Sequence, residues 1–543
     1  MIRSFAATMT SFFFLLTLLF PISFSFPQML TPDKACNVTT NPSFCKSLLP
    51  TDSLSNFYSY GQYLVKKSLE RSASFSSLIN ETIRDHATLT PRAAAALNDC
   101  LLLSQLTTDF LVSSLATLDS GNTTTLARDK ADLVHTLLSG IVTNQHTCLD
   151  ELTLASFLHR GHKLYAPLVN GSQLYSLSLA MLTHSWAFKP KKLVHPDRRL
   201  LDDLRVGGDG APLWVNRNIF HFAGGGRMAL QSVGSVVVAL DGSGHYRTIR
   251  EAISAAPAND GSKGYYVINV KAGVYEEYVT IPKSKKYIMM VGDGMGKTVI
   301  TGDRSVGGGG STTFGSATLA VLGTGFLAMD ITVRNTAGTG NHQAVAVRNG
   351  ADLSVFFRCS FEGYQDTLYA YSLRQFYRNC NIYGTVDFIF GNAAAVFQSC
   401  NIYARVPGGK VNTVTAQGRT SQFQNTGTSF IGCNVAAASD LAGRSGIKTY
   451  LGRPWKEYSR TVFMESNLGS LIDPAGWMPW SGSSAPSTIY YGEYNNRGPG
   501  AATGGRVKWE GFHLMSSSDA GRFTVSNFIQ GSNWLPKTGV PFG

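Results

Sequence analysis

The chain has 543 residues, a formal charge of +12 and eight cysteines. That length allows two or more domains. From Ser232 to the end, 27 Lys and Arg stand against 19 Asp and Glu, a balance of +8 that suits a polyanionic partner.

The chain opens like a secretory leader over residues 1–25: Arg3, an apolar run from Phe12 to Phe20, then Ser23 and Ser25. The run is short for a membrane span, so cleavage is the expectation and an uncleaved anchor the alternative. No later stretch reads as long and apolar enough to cross a bilayer, and stable membrane association is not expected. Asn37, Asn80, Asn122 and Asn170 each open an N-x-S/T glycosylation triplet, which agrees with export. Nucleic acid is then a poor candidate for the polyanion. An acidic polysaccharide fits better, and charge serving solubility alone is the bland alternative.

Residues 30–185 read as an all-α bundle of about four long helices behind a cysteine-clamped start. SSLINETIRDHA and RAAAALNDCLLLSQLTTDFLVSSLATL carry helical spacing, and Thr90–Pro91 is a fitting cap and first-turn pair. Cys36 and Cys45 enclose a short loop and are expected to pair, leaving Cys100 and Cys148 to pair with each other. Residues 186–231 read as an exposed linker, with Arg198, Arg199, Leu200 and Leu201 forming a candidate processing step for a protease. Plain solvated surface is the alternative for that basic pair.

Residues 232–543 change to short Val/Ile/Tyr/Phe runs punctuated by Gly and Asn, with helical spacing almost confined to TIREAISAAP at 248–257. A repeat reads FFRCSF at 356–361, FYRNCNI at 376–382, FQSCNI at 397–402 and FIGCNV at 430–435. Cys359, Cys380 and Cys400 are 21 and 20 residues apart. Short β-rich periods mark a solenoid, here an all-β right-handed parallel β-helix. Adjacent rungs match the Cα separation of a disulfide, so Cys380 and Cys400 are expected to bond, and Cys359 and Cys433 to be core residues.

Asp366 and Asp387 are also 21 apart, each set among aromatic residues. Residues one rung apart come out side by side, roughly 4.8 Å between strands. Burial and a second carboxylate raise the pKa of one acid, so that one acts as general acid and the other as nucleophile or base. Gln343 lies 23 residues before Asp366 and Gln365 beside it, as neutral donors suited to an oxyanion. Arg453 is expected to pair with Asp387, which favours the charged carboxylate. Trp455 offers a face on which sugar rings stack. No metal-site spacing appears, GGGGS at 307–311 lacks the lysine of a phosphate loop, and no G-x-S-x-G elbow sits in the right context. No cofactor or metal is expected, and any ester chemistry must run on carboxylates.

GVYEE at 273–277, QAVAVR at 343–348, GYQDTLY at 363–369, GTVDFIFG at 384–391 and YLGRPW at 450–455 follow one another as in plant pectin methylesterases. The chain strongly resembles that family from Val236 onward. CNVTTNPSFC and TNQHTCLDEL make the first part similar to the pectin methylesterase inhibitor domain that precedes many members. The resemblance implies Asp387 as nucleophile, Asp366 as proton donor, and Gln343 and Gln365 as stabilisers of the anionic intermediate. It also implies substrate binding by Thr313, Gln343, Arg453 and Trp455, bonds Cys380–Cys400, Cys36–Cys45 and Cys100–Cys148, and no cofactor. Members carry one or two basic processing motifs: RRLL is present, whereas the second position reads GRMALQ. The implied protein is a secreted, monomeric cell-wall enzyme acting on methyl-esterified homogalacturonan. Its implied partners are a proteinaceous inhibitor and a processing protease. A lyase or glycosidase on the same polymer, or a wall-binding protein without activity, are the competing readings.

Overall fold

Thr90 starts the longest apolar helix by accepting the Ala93 N–H at 3.2 Å, and Pro91 occupies the first helical position, where no N–H is needed. This is a computed structural model that describes residues 30–51, 54, 56–85, 89–120, 126–185, 215–216, 219–220 and 232–543. Its first part holds short helices α1 (Pro32–Cys36) and α2 (Pro42–Leu48), then four long ones: α3 (Phe57–Asp85), α4 (Pro91–Asp119), α5 (Arg128–Leu154) and α6 (Tyr165–Ser185). α3 and α5 each pack on α4 and on α6 around Leu111, Val134, Leu138, Ile141 and Leu179. Disulfides Cys36–Cys45 and Cys100–Cys148, with Cα separations of 5.5 and 4.8 Å, pin α1 to α2 and α4 to α5, as the sequence led us to expect. One expectation needs correction: α4 is long and apolar enough to cross a bilayer by length and composition. Its apolar faces are instead divided between the bundle and the second part of the chain.

The leader, Asn122 and the Arg198–Leu201 step lie outside the described residues. Asn37 and Asn80 are exposed and Asn170 is half-buried.

The second part opens with the strand Ser232–Val238, where the sequence texture changes. Its strands form three parallel sheets of eleven, eight and seven strands, wound as a right-handed parallel β-helix. The repeat read from the sequence is the rung: Phe356, Tyr377, Phe397, Phe430 and Phe463 are register partners on successive strands. Their rings stack inside the coil at centroid distances of 5.3, 4.5, 4.8 and 4.3 Å. At the corner after each of these strands one residue turns the chain through the left-handed region: Arg358, Asn379, Ser399, Gly432 and Glu465, with φ of 51°, 52°, 53°, 59° and 52°. A single such residue redirects the backbone without a hairpin, so neighbouring turns stay parallel.

The next position carries a cysteine at the first four corners, Cys359, Cys380, Cys400 and Cys433, with Ser466 at the fifth, and here the structure departs from the sequence reading. Cys380 and Cys400 are unbridged, like Cys359 and Cys433, and all four are buried. Cys380 Sγ lies 3.4 Å from the Phe356 carbonyl, and Cys400 Sγ lies 3.5 Å from that of Tyr377. In-register stacking runs the Cα–Cβ bonds of successive rungs side by side, whereas a disulfide needs them to converge.

The helix expected near 248–257 spans Ile249–Ala255 and is started by a Thr248/Glu251 capping box. Three short helices, Ser517–Gly521, Val525–Phe528 and Gly531–Trp534, were not read from the sequence. They bring Phe523, Val525, Phe528 and Trp534 onto the eleven-stranded sheet and cover its outer apolar face.

Candidate active site

The seven-stranded sheet positions the acids. Leu368 is the register partner of Ile389, so Asp366 and Asp387, each two residues earlier, stand on adjacent rungs in the same place. The Asp366 N–H donates to the Val386 carbonyl at 3.1 Å, which holds that register up to the acids. Both adopt positive φ, 64° and 53°, a conformation that Asp tolerates better than most residues. The repeated kink presents both carboxyls at the sheet's edge although the residues are only 7% and 5% exposed.

Their surroundings differ. Arg453 follows the strand Lys448–Gly452 and grips Asp387 with two bonds, Nε to Oδ1 at 2.8 Å and Nη2 to Oδ2 at 2.7 Å. The Thr413 hydroxyl donates to Oδ1 at 2.6 Å and accepts the Asp387 N–H at 2.9 Å. Asp387 is thus fixed in position and orientation. Asp366 has no such clamp. Burial, with the adjacent Asp387 and then Glu151 adding to it and Arg453 opposing, pushes its carboxyl well above the usual range. Two like acids in unlike settings suit opposite proton roles.

Gln365 precedes Asp366 in the chain. Gln343 lies on the preceding rung but displaced: Val347 pairs with Leu368, so Val345 stands opposite Asp366 and Gln343 two residues before it. Both glutamines are half-buried, and their backbone carbonyls take the Ala344 and Val306 N–H groups. Trp455 packs edge-on to Phe390 at 6.1 Å, and Phe390 stacks on Tyr369 at 4.1 Å. Together they form an aromatic floor beside the acids. Thr313 sits at the start of the short helical turn Phe314–Ser316 at the far side of that floor.

The groove is covered. Helices α4 and α5 lie across it, and Leu103, Leu106, Leu152 and Leu164 share one apolar cluster with Phe314, Tyr369, Tyr371 and Phe390. Polar contacts frame the cluster. Tyr371 donates to Asn144 at 2.9 Å, Asn392 to Thr143 at 2.9 Å and Gln424 to the Ser139 carbonyl at 2.9 Å. Four acids of the helices meet donors of the coil: Asp150 with Lys456 Nζ at 2.7 Å, Glu151 with the Phe314 N–H at 3.2 Å, Asp99 with the Thr312 hydroxyl, and Asp109 with Lys283. Burial first, then the charge of Asp99, pushes Glu151 up to about 8, and burial pushes Asp99 to about 6.

Residues 235–532 match the Pectinesterase family, and residues 31–181 match the plant invertase/pectin methylesterase inhibitor family. The chain belongs to the pectinesterase family. "Probable pectinesterase/pectinesterase inhibitor 20" of Arabidopsis thaliana is 46% identical over 528 residues, 94% of this chain and 93% of its own. "Pectinesterase 2" of Citrus sinensis is 59% identical over 338 residues, 62% of this chain and 64% of its own. Among solved structures, the pectin methylesterase from carrot superposes with a TM-score of 0.55 at 57% identity, covering 57% of this chain and 97% of that one. The protein is therefore a pectinesterase, a carboxylic ester hydrolase, preceded by an inhibitor-like helical domain.

The structure brings Asp366, Asp387, Gln365, Arg453 and Trp455 of this pectinesterase together, with Gln343 and Thr313 further along the same groove. Sequence reasoning missed Thr413, which has no distinguishing neighbours, and Trp480, whose ring lies 4.4 Å from the Arg453 guanidinium. It also missed every carboxyl that α4 and α5 place on the groove.

Proposed function

We propose that Asp387 is the nucleophile of this pectinesterase and Asp366 its proton donor. The observation that carries the reading is the in-register pair itself: one acid clamped by a bidentate guanidinium, the other pushed up by burial so that it holds a proton. A carboxylate oxygen of Asp387 attacks the C6 carbonyl of a methyl-esterified galacturonate. The side-chain amides of Gln343 and Gln365 donate to the oxyanion that forms. As the C–O bond to methoxide breaks, Asp366 gives its proton to the departing oxygen and methanol leaves. The sugar is then held on Asp387 as an acyl intermediate. Asp366, now ionised, takes a proton from water, the hydroxide adds to the C6 carbon, and Asp387 departs as carboxylate. The products are methanol and a free galacturonate, with the enzyme returned to its starting protonation. Trp455 and Thr313 bind the sugars on either side, and Arg453 orients the nucleophile.

The helical domain restrains this activity in the same reading, because α4 and α5 occupy the groove that the polymer must enter. Cleavage at Arg198–Leu201 then separates the two parts. Export to the cell wall, glycosylation at the four Asn triplets and action as a monomer complete the proposal.

Product analysis tests it: methanol must appear from methylated pectin without ultraviolet-absorbing unsaturated ends or new reducing ends. Either of those products would favour a lyase or a glycosidase. Asp366→Asn should lose turnover while still binding pectin, and a variant with ordinary turnover would remove the proton-donor role.

A further inference from the structure

A cleft in the helical domain, to which no described residue of the coil contributes, has no part in the proposed mechanism. Helices α3 and α6 run antiparallel and come close where their facing residues are small: Leu182 lies against Gly61, and Ser68 Oγ is 3.1 Å from Ser178 Oγ. Further along, at Gly171, α6 has no side chain to offer, and the space between the helices opens into a cavity of about 530 Å³. Residues 71, 74, 75 and 78 of α3 and 167, 170, 171 and 175 of α6 line it, each set at the spacing of one helix face.

The floor is aromatic, with Phe75 and Tyr175 both buried, and the rim is polar, with Glu70, Arg71 and Ser74 exposed. Gln145 enters the wall from α5. It is only 5% exposed and gives an amide N–H to the Leu168 carbonyl at 2.8 Å, while its Oε1 accepts from no described residue. A Cβ at Gly171 would lie 2.8 Å from Gln145 Nε2, so the glycine leaves that amide room at the cavity. Asn170 completes the wall, half-buried, and it opens the triplet Asn170-Gly171-Ser172. The exposed Asn37 and Asn80 do not line the cleft. Aromatic faces for a pyranose ring, polar groups for its hydroxyls and one buried carbonyl for an acetamido N–H make a site for an N-acetylhexosamine. The volume falls within the roughly 300–1,000 Å³ of cavities that hold small ligands.

We infer that the glycan carried by Asn170 is seated in this cleft, with its first N-acetylglucosamine between α3 and α6 and the acetamido N–H on Gln145 Oε1. The inference rests on the glycosylation proposed above. The sugar is joined through its C1 to Asn170 Nδ2 on α6 and leans on Phe75 of α3, so it ties the start of α6 to the second half of α3. That junction has no other covalent brace, because the two disulfides join α1 to α2 and α4 to α5. The glycan at Asn170 thereby belongs to the packing of the helical domain, whereas glycans at Asn37 and Asn80 stand in solvent.

The test uses the full chain secreted from a glycosylating host. Glycans are released by a peptide N-glycosidase, and mass spectrometry of each peptide follows the loss. In the native protein Asn170 should lose its glycan at least about tenfold more slowly than Asn37 or Asn80, because the glycosidase must wait for the helices to part. After reduction and denaturation the rates should be equal. Asn170→Gln should lower the melting temperature of the helical domain by a few degrees more than Asn80→Gln does. Should Asn170→Gln not be secreted, the release rates of the wild type decide alone. Equal native rates, or equal melting shifts in the two variants, overturn the seating and leave glycosylation standing. A bare Asn170 in the secreted protein defeats glycosylation at this position and the seating with it.

Discussion

Replacing Glu151 with Gln should remove most of the pH sensitivity of the full chain above neutrality. Glu151 faces Asp99 and Arg92 from α4, Asp150 from its own helix and the Phe314 N–H of the coil, and it raises Asp366 in turn. Docking moves its carboxyl from an ordinary value near 4.5 to about 8, chiefly by burial. The docked form therefore binds more protons than the undocked form between those values, and docking weakens as pH rises through that window. Asp99, moved from 3.8 to about 6, acts in the same direction at lower pH. His135 and His146, lowered from 6.5 to about 4 by burial, act oppositely, favouring docking as pH rises from 4 to 6.5. The four groups offset one another below 6.5, and above it Glu151 is the one of the four that still titrates, with Asp366, raised in part by Glu151, acting in the same direction. Over the remaining 1.5 pH units to 8 the loss is about 2 kcal/mol, roughly thirtyfold in the docking equilibrium. Methanol release by the full chain, divided by that of residues 232–543 at each pH, reads the open fraction directly. The ratio should climb by that factor in the wild type and stay nearly flat in Glu151→Gln. A flat wild-type ratio, or an equal climb in the variant, would refute the argument.

Other perturbations reach other parts of the account. Arg453→Lys keeps the charge but loses the two-bond clamp on Asp387, and should reduce kcat by about ten- to a hundredfold with little change in melting temperature, from the worth of a charge-assisted bond. Gln365→Ala should cost about 2.7–4 kcal/mol of transition-state stabilisation, seen in kcat more than in KM. Cys148→Ser opens the link to Cys100, 48 residues away, and should destabilise the helical domain by about 4 kcal/mol, raising the activity of the full chain. An unaltered melting profile would contradict it. Gly391→Ala places a Cβ about 2.1 Å from the Ala370 carbonyl at a φ of 121°, and should prevent folding of the coil, checked by circular dichroism.

Much of the catalytic coil was legible because a solenoid turns sequence spacing into spatial adjacency. The 21-residue interval between Asp366 and Asp387 is one rung, and both the interval and the register express the same winding. Helix spacing and the Thr90–Pro91 start gave the bundle for a similar reason, since the period is local. What stayed hidden is non-local or too short to repeat. Asp99 meets Thr312 across 213 residues and Asp150 meets Lys456 across 306, and no spacing rule links such pairs. Thr413 reveals itself only when its strand is laid beside that of Asp387. The C-terminal helices run four or five residues each, below the length at which a 3.6-residue period can be seen. The Cys380–Cys400 expectation used the right distance and neglected direction, because stacked rungs set side chains parallel.

The most direct measurement is methanol release by Asp387→Asn in residues 232–543. The substitution keeps the shape and the backbone bond to Thr413 but removes the carboxylate proposed to attack. The account predicts a fall in kcat of at least about 10⁴-fold, with pectin binding retained, in line with the loss of a nucleophile elsewhere. Turnover within tenfold of the wild type would contradict it.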